Sequence, residues 1–235
     1  MVPANFLESE VEGREGMEGK QYRTCGKPGI LSKMPTYRPT DNYAMLLCTM
    51  KDLYPQPSWA FCFGWASFTA GVGCVSFARY DPAWDGIEDP ENEKNLLMHA
   101  CHIMCHEIGH QFGLRHCIYY ECLMNGVMSA DEQRRGGIKL LCPVCHKKLQ
   151  QNIKFDSTER FEKLAAACKQ LGFDDEAAIY YKIIADAKKS GIKARNPSAS
   201  SAANSSANSR VNNRIAAAQN AANNNNNQQR NRSQS

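Results

Sequence analysis

No uninterrupted apolar run in these 235 residues approaches the ~20 that a membrane-spanning helix requires, so no membrane partner is expected. The N-terminus, Met-Val-Pro-Ala-Asn-Phe-Leu-Glu-Ser-Glu, lacks the basic region and following apolar run of a secretory leader. A reducing compartment, cytoplasm or nucleus, is therefore expected. The eleven cysteines, an odd count, are then read as thiols or metal ligands. A basic groove is also missing. The segment from Gly191 carries Lys193, Arg195, Arg210, Arg214, Arg230 and Arg232 and no acid. Against a total of +4, that leaves −2 for the rest of the chain. A near-neutral globular part argues against nucleic acid as a partner. No internal repeat is present, and the length suits one domain with tails, expected as a monomer.

What is present is concentrated in one segment. His106-Glu107-Ile-Gly-His110-Gln-Phe-Gly113-Leu-Arg-His116 spells H-E-x-x-H-x-x-G-x-x-H. On a helix, His106 and His110 lie one turn apart on the same face, so both imidazoles can reach one metal ion. Glu107 sits on the adjacent face, near enough to take a proton from water held there. Gly113 can adopt a positive φ and turn the chain, which lets His116 return as third ligand. Three histidines leave a fourth position for water, the arrangement of a catalytic zinc site.

A second cluster follows at once. Cys117 and Cys122 form a C-x4-C pair, and Cys142 and Cys145 a C-x2-C pair. Together they fit a closed, four-thiolate structural zinc site. Because Cys117 abuts His116, that second metal would pin the end of the catalytic loop. Two zinc ions per chain are expected.

The whole string, H-E-x-x-H-x-x-G-x-x-H-C-x4-C-x-M-x17-C-x-x-C, resembles the archaemetzincin (archaelysin) family of metzincin metallopeptidases. Asp52-Leu-Tyr-Pro, Trp59-Ala-Phe-Cys-Phe-Gly64 and Ser76-Phe-Ala-Arg79-Tyr80 resemble it too. The resemblance covers roughly residues 37 to 165. It implies a catalytic zinc, Glu107 as general base and acid, and Met124, or else Met128, as the methionine beneath the metal. It also implies a mixed α/β (α+β) chain with a metzincin-like protease fold. Such a fold has a twisted mixed sheet, an active-site helix, a four-cysteine zinc-stapled C-terminal subdomain and, here, a disordered tail. The implied activity is hydrolysis of peptide bonds in a peptide or protein substrate, with endo- versus aminopeptidase action undecided. The alternative reading is a zinc-stabilised binding or regulatory module, a shortened or diverged relative with little catalysis. It draws on the 36 weakly structured residues that precede the resembling stretch.

Along the chain, residues 1–36 are polar and Gly-rich without a sustained period and are expected to be mobile. Residues 37–190 form the expected catalytic domain, and the Asn/Ser/Ala-rich segment 191–235 an unfolded tail. Residues 43–50 read as a parallel strand buried on both faces. Further strands are expected at 59–63 and 73–79, the latter as the edge to which substrate adds. An acidic loop at 81–93 precedes a helix over 95–112. A short turn at 130–134 and helices over 142–151, 157–170 and 174–189 follow.

Several side chains invite competing readings. His102 and His106 are also four apart, but no Glu follows His102. His99 and His102 are therefore read as outside the ligand set, and His146 as a surface residue. Cys48, Cys62, Cys74, Cys101, Cys105 and Cys168 occupy apolar positions and read as core. Arg23-Thr-Cys25-Gly-Lys-Pro28 resembles the cysteine switch of matrix metalloproteinase propeptides with the arginine displaced by one, and an ordinary loop is the preferred reading. Tyr119 and Tyr120 are candidates for oxyanion stabilisation, with packing preferred. Arg79 and Tyr80 have no role beyond the cleft edge.

Overall fold

Six short strands make two three-stranded sheets in a computed structural model that describes residues 2–16, 19–86, 92–127, 129, 132 and 140–190. In the first sheet, β1 (Gly13–Gly16) pairs antiparallel with β2 (Gly19–Arg23), which pairs parallel with β4 (Asp52–Tyr54). In the second, the order is β3 (Met45–Thr49), β6 (Val72–Ser76), β5 (Gly64–Ala66). β3 runs parallel to β6 and β5 antiparallel to it. The run 62–63 joins the sheets. The Cys62 N–H donates to the Leu53 carbonyl, and the Phe63 carbonyl accepts from the Ser76 N–H.

The chain is thus mixed α/β, but the strands differ from expectation in three ways. Residues 59–63 are not a strand. They form a short apolar run of the kind that pattern alone cannot assign, and the strand begins only at Gly64. β6 is central and buried throughout, paired on both sides, so it is not an edge; β3 and β5 are, and β5 is the antiparallel one. β3, read as buried on both faces, is half-buried and leaves Cys48 exposed.

Residues 2–36 also depart from the expected mobile chain. They build α1 (Phe6–Glu10), β1, β2, α2 (Ile30–Lys33) and a 3-10 turn at Met34–Thr36. Phe6, Tyr22, Ile30 and Met34 pack with Leu53, Cys62, Val72 and Cys74 in one core. Elements of four or five residues are too short to display a period, so tertiary burial, invisible to pattern, orders them.

The 20-residue helix α3 (Asn92–Gln111) packs across β5 and β6. Gly113, at φ +84, ends its last turn, and the Leu114 N–H donates back to the Gly109 carbonyl at 3.0 Å. Helix α4 (Pro143–Ile153) is capped by Cys142, whose Sγ accepts from the Cys145 N–H. The Asp156 carboxylate caps α5 (Ser157–Gln170), and Gly172, at φ +74, turns the chain into α6 (Asp174–Lys189). No helix among the described residues is long and apolar enough to cross a membrane. Met128, the turn at 130–134, residues 87–91 of the acidic loop and the tail 191–235 lie outside the described residues.

Candidate active site

The last two turns of α3 carry His106, Glu107 and His110. Each of the two histidines has its Nδ1 at 2.7 Å from a backbone carbonyl, Leu123 for His106 and Leu114 for His110. A carbonyl can only accept, so Nδ1 carries the proton and Nε2 the lone pair. The two Nε2 atoms lie 3.0 Å apart. Burial, opposed by the Leu123 hydrogen bond and reinforced by the neighbouring histidines, lowers the His106 pKa to about 4. Burial lowers that of His110 as well. Both rings are therefore neutral near pH 7, as metal ligands must be.

Past Gly113 the chain brings His116 back, its ring centroid 5.3 Å from that of His106 and 5.0 Å from that of His110. Ligand nitrogens of the three histidines lie within 4.8 Å of one another. Gly126 lets the chain pass this close, since a Cβ there would stand 3.0 Å from His116 Nδ1. Three imidazoles with converging ligand nitrogens, two of them held by backbone carbonyls, suit a zinc ion.

Glu107 turns toward the sheet. A Cβ on Gly64 would come within 2.8 Å of its Cγ and Oε1, so only glycine leaves the carboxyl its place. Burial pushes the Glu107 carboxyl up to about 8. Its Oε2 has no hydrogen-bond partner among the described residues. Glu107 and the histidines line a cavity of about 940 Å³ whose walls include Trp59, Phe61, Phe63, Trp65, Phe68 and Tyr80. Phe68 stands edge-on to His110 at 5.3 Å between centroids.

Sulfur atoms of Cys117, Cys122, Cys142 and Cys145 also lie within 4.8 Å of one another, in a buried cluster with Leu114 and Met124. Cys117 and Cys142 Sγ are 3.8 Å apart, and all four are free thiols. Backbone N–H groups of Met124 and Cys142 donate to Cys122 Sγ at 3.4 and 3.3 Å. For Cys117, burial opposes ionisation, but N–H groups of Tyr119 and Tyr120 and the adjacent thiols outweigh it and lower the pKa to about 7. For Cys122 and Cys145 burial wins and raises the thiol, so of these three only at Cys117 do the N–H groups favour the thiolate in the metal-free chain.

Residues 44–151 match the model of peptidase family M54. A zinc-dependent peptidase from Methanocorpusculum labreanum is 31% identical, covering 51% of this chain and 68% of that one, with a TM-score of 0.42. The M54 match spans just under half of the chain. Archaemetzincin-2 of Pongo abelii is 39% identical over 158 residues, 57% of this chain and 44% of that protein. Archaemetzincin-1 of Homo sapiens is 34% identical over 163 residues, 58% of this chain and 32% of that protein. The chain thus spans less than half the length of these two relatives. Both residue clusters fall inside the matched M54 stretch, whereas α1, β1, β2 and α2 precede it.

Other residues of this chain fall elsewhere than the sequence suggested. Cys25 lies between β2 and α2 beside the Thr24 hydroxyl at 3.6 Å and is not among the cavity residues, which removes the switch reading. Tyr119 and Tyr120 are exposed and line no part of this cavity, so they are neither packed nor aimed at the site. Cys48 and Cys105 are exposed, not core, because β3 is an edge and α3 has a solvent face. His146 is half-buried between Phe155 and Phe161, with Nε2 2.9 Å from Ser157 Oγ. His102 lines the cavity and His99 stacks on Tyr80, but neither joins the three-histidine group.

Two positioning groups were given no such role from the sequence, although Asp52 and Arg79 lie in stretches that carry the resemblance. The Asn125 amide donates to the carbonyls of Cys117 and Tyr120 at 2.7 and 2.9 Å and accepts from the Cys122 N–H at 2.7 Å. It ties the cysteine loop behind His116. Asp52 receives Arg79 in a two-point ion pair at 2.9 and 2.8 Å, and Gln21 at 2.5 Å. Arg79 in turn covers the Phe61 ring at 3.9 Å, which gives it a role in the cavity wall.

Proposed function

We propose that the chain is a zinc-dependent metallopeptidase in which His106, His110 and His116 hold the catalytic metal and Glu107 is the general base and acid. The convergence of three imidazoles beside a buried carboxyl whose Oε2 has no partner among the described residues, in a cleft with aromatic side chains in its walls, carries this reading. When bound, zinc supplies Lewis acidity that polarises the scissile carbonyl and makes water acidic enough to attack near neutral pH. Glu107 takes the proton of the attacking water and returns it to the departing amine. A carboxyl that is deeply buried is a stronger base than an exposed one, which suits this role. The unpaired edge of β5 receives an extended peptide as an added antiparallel strand, with backbone hydrogen bonds tolerating many sequences. The aromatic walls favour apolar side chains. Met124 lies beneath the helix, where a Cβ on Gly109 would stand 2.6 Å from its Sδ, which supports its role under the metal. Cys117, Cys122, Cys142 and Cys145 hold a second, structural zinc that fixes His116 through its neighbour.

The alternative of a binding module with little catalysis drew on a weakly structured N-terminal segment. That segment supplies strands and core here, so the feature that favoured the alternative is gone. A broad peptide library, cleaved by the zinc-loaded protein and by Glu107→Ala, tests the proposal. We expect cleavage by the wild type, and a loss on the order of 10²–10⁴-fold in the variant with zinc content unchanged. Wild-type rates in Glu107→Ala would refute the mechanism.

A further inference from the structure

One wall of the cleft is a strap, residues 57–60, of which Ser58, Trp59 and Ala60 line the cavity. It has few bonds of its own. The Trp59 N–H donates to the Gln56 carbonyl, and Gln21 Nε2 donates to the Ala60 carbonyl at 3.0 Å. Three of its four carbonyls, those of Pro57, Trp59 and Ala60, converge on one side chain, 43 to 46 residues earlier in the chain. Arg14 Nη1 donates to the Pro57 carbonyl at 3.0 Å. Its Nη2 donates to the carbonyls of Trp59 at 2.6 Å and Ala60 at 2.8 Å.

The guanidinium is itself fixed. Its Nε donates to Gln21 Oε1 at 2.8 Å, and its Cζ lies 4.0 Å from the centroid of the Tyr54 ring. A planar fork with four of its five N–H groups matched and its face on an aromatic ring is pre-organised, and a lysine cannot reproduce it. The strap carries Trp59, which meets Trp65 of the edge strand β5 edge-to-face at 6.0 Å. Arg14 therefore sets where the aromatic rim stands relative to the strand edge.

We propose that Arg14 is a positioning residue of the cleft, clamping the strap 57–60 so that Trp59 closes on the side chain of a bound peptide. This rests on the peptidase reading of the same cleft. Arg14 is not among the cavity residues, so its effect falls on binding and not on the chemical step. It belongs to the N-terminal segment that precedes the M54 match, which gives that segment a part in substrate recognition.

Two measurements on the zinc-loaded full chain test this: hydrogen exchange at amides 58–61, and kcat and KM for library peptides with a large apolar residue. In Arg14→Ala we expect faster exchange in the strap and a KM raised on the order of tenfold, since a misplacement of about 1 Å is costly. The kcat should stay within about twofold and zinc content should not change. Arg14→Lys should not restore KM, because an ammonium offers no planar fork. Trp59→Ala, made independently, should raise KM in the same way. Unchanged strap exchange in Arg14→Ala would overturn the clamp. Faster exchange with unchanged KM, or a fall in kcat with KM kept, would overturn the positioning role. A wild type that binds zinc yet cleaves no library peptide would refute the peptidase reading and this role with it. A wild type that cleaves, with Arg14→Ala indistinguishable from it, would refute this role alone.

Discussion

Glu107 is the residue on which the proposed chemistry turns, and its environment gives it a measurable signature. Burial holds its carboxyl at about 8 in the metal-free folded chain, against about 4.5 when unfolded. The folded state therefore binds the proton more tightly. The stability this contributes is full below pH 4.5 and is lost as pH rises through 8. Glu107→Gln carries no such titration. We expect the chelated variant to gain in Tm over the chelated wild type between pH 5 and pH 8.5. Parallel Tm curves across that range would show that Glu107 is not buried as an acid. His106, Glu107 and His110 were legible in the sequence because helical periodicity alone brings them to one end of one helix. His116 was legible because Gly113 breaks that helix on cue. Asn125, Gly64 and Arg14 were not, since their partners become neighbours only through the tertiary fold.

At the scale of elements, α3 lies over β5 and β6 with Glu107 against Gly64 and Gln111 against Gly73. Two glycines on the sheet thus set how closely the helix approaches. The helix was readable to within three residues at its start and one at its end, because twenty residues display a period and caps punctuate them. The sheet was read less well. Apolar runs of five residues at 59–63 and eight at 43–50 carry no information on which strand is central, and the candidate edge moved from β6 to β5. Asp52 joins β2, β4 and the 3-10 turn at Ala78–Tyr80 through Gln21 and Arg79. Its side chain is 4% exposed and that of Arg79 19%. Removing it in Asp52→Ala leaves a mostly buried guanidinium unpaired. We expect a loss of about 2–4 kcal/mol, below the full range for a buried pair because Arg79 keeps some solvent. Urea unfolding would measure it, and a loss under about 0.5 kcal/mol, the level of a surface pair, would show that the network is not a structural pin.

Across the described molecule, three cores meet at the cleft. One is built by the N-terminal elements on β4 and β6, one by Phe63, Val75, Tyr80 and Ile103 under α3, and one by the four cysteines with Leu114 and Met124. The first was invisible to pattern because its contributors sit on elements of four or five residues. The third was visible as cysteine spacing. His116 and Cys117 are adjacent in the chain, so the two metal-binding groups are coupled by one peptide bond. Their occupancy is the most direct test of the proposed function. Zinc per chain, measured by elemental analysis on protein purified without chelator, should be two in the wild type. It should be one when His106, His110 and His116 are all replaced by Ala, and the remaining ion should belong to the cysteines. A wild type with one zinc, kept in full by the triple-histidine variant, would contradict a catalytic metal at these histidines.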